Sequence, residues 1–287
     1  MSNRSALKSY KQGEGWWKTE ISQIEKNRVN IRGYNMEELI GNVSYSQMLA
    51  LLLTGSILTE KKAKLFESVL VAGADHGPRA PSIAASRMAA TCGISFNSAV
   101  ATGINLLGDS HGGATEKGMA LFYETMTEVE ETGQTINEVI DNKLENLLER
   151  KEKIPGIGHQ LHDDDPRVHR LYKLAKPLVE EGEISGDYLK IAEQFRKSLA
   201  GKKDRPITMN IDGVAAAIQC ELGLPAEAAK GIFALSRGMG ITAHAFEELQ
   251  QGALVKGPGP NNEEFIQYTG VKNRKLEDKG EVRNYKL

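Results

Sequence analysis

Between Ser44 and Gln251 the apolar residues recur at helical spacing in one segment after another, and no strand-type alternation is interleaved with them. This pattern constrains the fold more than any other feature. Alternating strands and helices would build a parallel sheet. Amphipathic and Ala-rich stretches bounded by caps, glycine and proline make an all-α architecture the expectation. Thr135 to Lys151 is the clearest case, with Ile136, Val139, Ile140, Leu144, Leu147 and Leu148 on one face. Ser44-Tyr45-Ser46 caps Gln47 to Leu53, which ends at Gly55, and Thr59 starts Glu60 to Ala72. Pro81 fronts an Ala-rich helix, Ser82 to Thr91, closed by Gly93. Further helices are expected over Phe96 to Leu107, Ala114 to Glu131, Pro166 to Glu181, Tyr188 to Leu199, Gly213 to Leu222, Ala226 to Arg237 and Gly240 to Gln251. Lys18 to Arg32 alternates loosely around Ile21, Ile24, Val29 and Ile31 and reads as a short hairpin or extended arm. From Gly257 onward the chain is rich in Gly, Pro, Asn and charge and reads as an arm.

Composition narrows the function classes. A length of 287 residues is compatible with two domains or one large one. Hydrophobic residues at 40%, charged at 26% and aromatic at only 6% suit a helix-rich soluble protein with a substantial core. Lys and Arg total 36 against 38 Asp and Glu, a net charge of −2, so there is no global field for nucleic acid. An anionic ligand must be held by a local cluster. The longest apolar stretch, Met48 to Leu53, is far short of the ~20 residues that span a bilayer. Met1 to Gly15 has no apolar core of the signal-peptide kind. Cys92 and Cys220 lie in apolar, Ala-rich segments and read as buried free thiols. The expectation is a cytoplasmic protein that engages neither nucleic acid nor membrane.

Three segments carry chemistry. Ser110-His111-Gly112-Gly113 precedes a helix with Glu116 in its first turn. The positive end of that helix lowers the imidazole pKa, so His111 is expected to be neutral and able to donate one hydrogen bond to a carbonyl becoming an enolate. The plainer alternative is a helix cap or a satisfied core histidine. Ile154-Pro155-Gly156-Ile157-Gly158-His159 leads through Asp163, Asp164 and Asp165 to Pro166-Arg167. It offers a histidine on an irregular loop with accessible amides, and an arginine able to fork a carboxylate. A solvated acidic turn is the alternative there. A metal site is not expected, since three consecutive aspartates cannot all face one ion and no His pair has i, i+4 spacing on one helix. Asn210-Ile211-Asp212-Gly213 joins an apolar run to an Ala-rich helix. A carboxylate in such surroundings has a raised pKa and is suited to moving a proton on carbon, unless it is an ordinary N-cap.

Taken in order, His111-Gly112-Gly113, Gly158-His159 with Asp165-Pro166-Arg167, and Asn210-Ile211-Asp212-Gly213 resemble the two catalytic histidine segments and the aspartate segment of citrate synthases. Upstream, Arg32-Gly33-Tyr34, Glu37-Glu38-Leu39 and Leu51-Leu52-Leu53-Thr54-Gly55 resemble that family's entry segment. Ala74-Asp75-His76-Gly77-Pro78, Gly156-Ile157-Gly158-His159, Ser236-Arg237-Gly238-Met239-Gly240 and His244 look more like citryl-CoA lyases and the C-terminal module of ATP-citrate lyase. The resemblance covers roughly residues 18 to 256, and the long N-terminal helical portion of full-length citrate synthases has no counterpart in it.

The resemblance implies a large helical domain, residues 1–114 with 218–287, and a smaller one, 115–217, closing over the active site. It implies His111, His159 and Asp212 as catalytic residues. His76, Arg167 and Arg237 would surround a dicarboxylate. The loop Pro155, Gly156, Ile157 and Gly158 would receive the adenine end of coenzyme A, and Lys202 and Lys203, in a loop, are candidates for its phosphates or simply exposed. No tightly bound cofactor is implied; the coenzyme A thioester is substrate. The implied activity is retro-aldol cleavage of citryl-CoA to acetyl-CoA and oxaloacetate by a homodimer or dimer-based oligomer. The alternatives are citrate synthase-type condensation and a non-catalytic CoA-binding protein. Two positions depart from the family pattern. Gln160 follows His159 where relatives usually carry arginine, and Lys256 with Gly257-Pro258-Gly259-Pro260 stands where relatives place an arginine that reaches the partner subunit's site. Lysine is only a point-charge substitute for that fork.

Overall fold

A computed structural model describes residues 16–158, 164–203, 205–259 and 269. The expected hairpin is present as a small antiparallel sheet of β1 (Ser22–Glu25), β2 (Arg28–Ile31) and β3 (Tyr34–Asn35), with Ser22 opposite Ile31 and Ile31 opposite Tyr34. Arg32 and Gly33 connect β2 to β3 with φ of 47° and 88°, the paired positive angles that follow the twist of a tight hairpin. Among the described residues, the named elements after it are all helices, as expected.

A short α1 (Met36–Leu39) leads to α2 (Tyr45–Thr54), whose Ser44 and Gln47 form a reciprocal capping box and whose end is the left-handed Gly55. There follow α3 (Glu60–Gly73), α4 (Pro81–Ala90) and α5 (Phe96–Ile104). Next come α6 (Ala114–Thr132) and α7 (Ile136–Glu149), the latter opened by a second capping box, Thr135 with Glu138. The last described elements are α8 (Pro166–Glu180), α9 (Asp187–Lys203), α10 (Ile211–Glu221), a 3-10 turn (Ala226–Ala228) and α11 (Ala229–Gln251).

The main apolar cluster gathers around α10, in which every residue from Gly213 to Cys220 is buried. Its alanines let α3, α6, α8 and α9 pack close on all sides. A Cβ on Gly118 of α6 would stand 3.0 Å from the Ala216 methyl. Phe66, Phe122 and Phe195 are fully buried in this cluster, each contributing about 1.5–3 kcal/mol by leaving water. The cluster draws on both sides of the expected boundary near residue 115, from Leu65 and Phe66 to Met119 and Phe122.

Three details differ from the sequence expectation. The pair Ala226 to Arg237 and Gly240 to Gln251 is one unbroken helix after the 3-10 turn. Gly240 is there for close approach rather than for a break, since a Cβ would stand 2.3 Å from the Ala74 carbonyl oxygen. Helix α9 continues to Lys203, so Lys202 and Lys203 sit in its last turn and not in a loop. Cys220 is buried but Cys92, just past the end of α4, is exposed. No helix among the described residues is long and apolar enough to cross a membrane.

Candidate active site

After α5 the chain makes a tight turn in which the Gly108 and His111 backbones exchange hydrogen bonds of 2.9 and 3.0 Å. Gly112 follows at φ 95°, and a Cβ there would lie 2.7 Å from the Phe233 ring, so only glycine lets the turn sit against α11. His111 thereby meets the start of α4. The Ser82 amide donates to His111 Nε2 at 3.4 Å, and Ser82 Oγ stands 2.9 Å from the same nitrogen. A nitrogen that accepts from an amide carries no hydrogen, which leaves Nδ1–H as the donor of a neutral ring. Burial holds the imidazole pKa below its ordinary value, the Arg237 charge lowers it further, and Asp212 opposes them. The helix end that His111 meets through Nε2 is that of α4, and not only that of α6, which follows it in sequence. The sequence signal for this was Pro81-Ser82.

The opposite part of the site is built by two strips of backbone pressed together. Asn210 N donates to Gly156 O at 3.0 Å, Gly158 N to Thr208 O at 2.6 Å, and Asn210 Nδ2 to Gly158 O at 2.7 Å. A Cβ on Gly156 would approach Gly213 Cα to 2.3 Å, and one on Gly213 would approach Gly156 O to 2.6 Å. The two glycines therefore allow the Pro155–Gly158 loop to rest on the first turn of α10. Asn210 is the N-cap of that helix, its Oδ1 accepting from the amide of Asp212 at 2.9 Å. Asp212 is thus freed from capping. Its Oδ1 accepts from Thr115 Oγ1 at 3.0 Å. Burial raises its pKa above the carboxylate range, outweighing the Thr115 hydrogen bond and the charges of Arg167, Arg237 and His111.

Arg237 is 5% exposed, donates from Nε to Gly73 O at 2.9 Å and lies 5.0 Å above the Phe233 ring. Burial lowers its pKa, while Asp75 and Asp212 act to support its charge. Arg167 lies at the start of α8, where Asp165 receives its fork side-on: Nε to Oδ1 at 2.9 Å and Nη2 to Oδ2 at 2.8 Å. Its end-on edge remains for a further acceptor.

One cleft of about 1150 Å³ brings together His76, His111, Asp212 and the Pro155–Gly158 loop. Arg237 and Arg167 reach Asp212 by their charges. His159 and Gln160 lie outside the described residues. Lys202 donates to Glu145 Oε1 at 2.8 Å, and neither it nor Lys203 lines the cleft. Two lysines that sequence reasoning missed do line it, Lys117 and Lys153. Lys153 stands two residues before the Pro155–Gly158 loop, and Lys117 four after Gly113, a signal that was there to be read. Lys256, compared above with a partner-reaching arginine, donates instead to Glu248 Oε1 of its own chain at 3.0 Å. Among the described residues no cluster of three His, Cys, Asp or Glu could hold a metal ion.

Known proteins resemble this chain in sequence and fold. The profile of the family described as citrate synthase, C-terminal domain, matches residues 58–257. Citrate synthase of Heyndrickxia coagulans is 28% identical over 239 residues, covering 83% of this chain and 59% of that protein. Citrate synthase of Deinococcus radiodurans is 31% identical over 229 residues, covering 79% and 56%. The chain thus spans somewhat over half the length of these curated relatives. Among solved structures, citryl-CoA lyase from Hydrogenobacter thermophilus is 34% identical with a TM-score of 0.80, covering 91% of this chain and 97% of that one. ATP citrate lyase from Methanothrix soehngenii, in complex with citrate and coenzyme A, has a TM-score of 0.75 over 98% of this chain and 46% of that one. At 21% identity it speaks for the fold alone. Resemblance, fold and family profile agree: this chain belongs to the citrate synthase family.

Proposed function

We propose that this protein is a carbon–carbon lyase that cleaves citryl-CoA, or a close 3-hydroxyacyl-CoA analogue, to acetyl-CoA and oxaloacetate. The observation that carries this reading is that His111 and Asp212 line one cleft, with burial lowering the pKa of the ring and raising that of the carboxyl. That pairing suits an enolate. His159 takes the proton of the tertiary alcohol. The central carbon–carbon bond breaks, its electron pair passing to the thioester α-carbon as the alkoxide becomes a ketone. The His111 Nδ1–H hydrogen bond stabilises the enolate oxygen, and Asp212 delivers its proton to the α-carbon. The near whole-length likeness to a citryl-CoA lyase supports the lyase direction.

Coenzyme A is substrate in this scheme. Its adenine end lies at the Pro155–Gly158 loop, and Lys117 and Lys153 serve its phosphates in place of Lys202 and Lys203. His76, Arg167 and Arg237 serve the dicarboxylate. Residues 115–217 close over the ligand and exclude water from the enolate. Leu235, Met239, Phe246 and Leu249 form an exposed apolar stripe on α11, with Phe96 set edge-on to Phe246 at 6.3 Å, which supports a symmetric homodimer. A second reading, condensation of acetyl-CoA with a 2-oxo acid, is favoured by the relatives named citrate synthase.

Product analysis with citryl-CoA, citramalyl-CoA and methylcitryl-CoA in parallel, beside acetyl-CoA plus oxaloacetate, tests the reading. Rapid cleavage of one of the three supports it. Free coenzyme A released from acetyl-CoA plus oxaloacetate, with all three left intact, replaces it by the synthase reading.

A further inference from the structure

The segment Gly73–Gly77, which carries His76 into the cleft, hangs on one stripe of α11. Arg237, Gly240 and His244 are spaced i, i+3 and i+7, so their side chains follow one another along the same face. Each fixes one point of the segment. Arg237 Nε holds Gly73 O at 2.9 Å. The missing side chain of Gly240 admits the Ala74 carbonyl, and a Cβ there would also stand 3.0 Å from Asp75 Oδ1. His244 Nε2 lies 3.2 Å from Asp75 Oδ1, which also accepts from the Gly77 amide at 3.2 Å.

The remaining nitrogen of His244 is decided by its partner. Arg87 Nη1 stands 3.1 Å from Nδ1, and a guanidinium only donates. Nδ1 therefore accepts, and the ring hydrogen sits on Nε2, aimed at Asp75. Arg87 is fixed in turn by Glu247, Gln251 and the buried Glu248, which also holds Lys256. A chain of single-direction contacts thus runs from the segment at Lys256 to the residue beside His76.

We propose that His244 is a positioning residue: locked by Arg87 as the Nε2–H tautomer, it clamps Asp75 and so aims His76 into the cleft for a carboxylate of the substrate. The carboxylate part of this inference rests on the proposed function; the aiming of His76 does not.

Two variants separate the clamp from bulk. His244→Gln retains one acceptor for Arg87 and one donor for Asp75, whereas His244→Phe keeps the volume and removes both. In the full chain labelled with 15N-histidine, wild type is expected to show the His244 ring hydrogen on Nε2. The imidazole signals of His76 shift in His244→Phe and stay in place in His244→Gln. By calorimetry with oxaloacetate as the probe, His244→Phe weakens binding by about 10- to 100-fold, the range for removing a partner that orients a functional histidine, while binding of acetyl-CoA is retained. His76 signals unmoved in His244→Phe, or moved equally by both variants, overturn the clamp. Wild type that binds no oxaloacetate counts against the proposed function, and the His76 signals still decide the clamp. Should His244→Phe not fold, Asp75→Ala removes the same contact from the exposed rim and is read the same way.

Discussion

Two histidines sit at the two ends of α4, and they are held in opposite ways. His111, at its N-terminus, has one nitrogen pinned by Ser82 and the other left as a donor in the cleft. His244, near its C-terminus, has both nitrogens engaged, by Asp75 and Arg87, with Glu247 beside them. The difference teaches how one residue type is divided between chemistry and support. On the proposed function, the ring that acts on substrate keeps an unspent hydrogen bond, with Arg237 and Asp212 acting on it only by their charges. A ring that must hold a loop spends both.

The largest expected effect comes from removing the unspent hydrogen bond. His111→Ala and Asp212→Asn should each lower kcat by about 10³-fold or more, the scale for one oxyanion donor or one general acid, with the fold retained. His244→Gln should leave kcat near wild type. A loss below about tenfold for His111→Ala would erase the distinction.

Next come the two glycines of the loop facing His111. Gly156 and Gly158 both have positive φ, 75° and 98°, but only Gly156 is crowded, with Gly213 Cα 2.3 Å from where a Cβ would stand. Gly156→Ala should destabilise by about 3 kcal/mol or more, combining strain with overpacking, and Gly158→Ala by about 1–2 kcal/mol from backbone strain alone. Denaturant unfolding measures both. Equal effects would mean that the two strips of backbone are not in contact.

A smaller effect sharpens the contrast between free and engaged cations. Lys153→Met should raise KM for the thioester by about tenfold, as expected for one lost charge-assisted contact. Lys202→Met should leave it nearly unchanged, because Glu145 already occupies that ammonium. Steady-state kinetics decides between them, and the reverse ranking would restore the assignment made from sequence.

The smallest effects are in pH. Asp212 has a native pKa raised above 3.8 by burial, so its contribution to stability is complete in acid and lost as pH rises through that raised value. Asp212→Asn should gain Tm relative to wild type on going from acid to neutral pH. His111 has a native pKa lowered below 6.5, first by burial, so its contribution is present above 6.5 and lost as pH falls through the lowered value. His111→Asn should gain on wild type only on that acid side. Calorimetric scans across pH test both signs, and a flat difference in either series contradicts the assigned environment.

What the sequence made legible was what short range dictates. The capping boxes at Ser44 and Thr135 fix helix starts with residues three apart, and Gly112 and Gly156 mark turns whose chemistry shows in the string itself. The order of the His111 and Asp212 segments pointed to the family. What escaped was set by contacts across the fold. Gly240 reads as a helix break until Ala74 is seen against it. Arg167 is the local exception, a fork that reads as free although Asp165, only two residues away, turns back onto it. The pairing of His244 with Arg87 joins positions 157 residues apart, beyond the reach of any local pattern.

The most direct test of the central claim is cleavage of citryl-CoA in deuterium oxide, with both products followed by mass. On the proposed function, with His111 as hydrogen-bond donor and Asp212 as acid on one thioester enolate, oxaloacetate appears in step with acetyl-CoA carrying a single deuterium in its methyl group, and Asp212→Asn gives no such product at a comparable rate. Citryl-CoA left intact, or free coenzyme A and citrate with no deuterium on carbon, would contradict it.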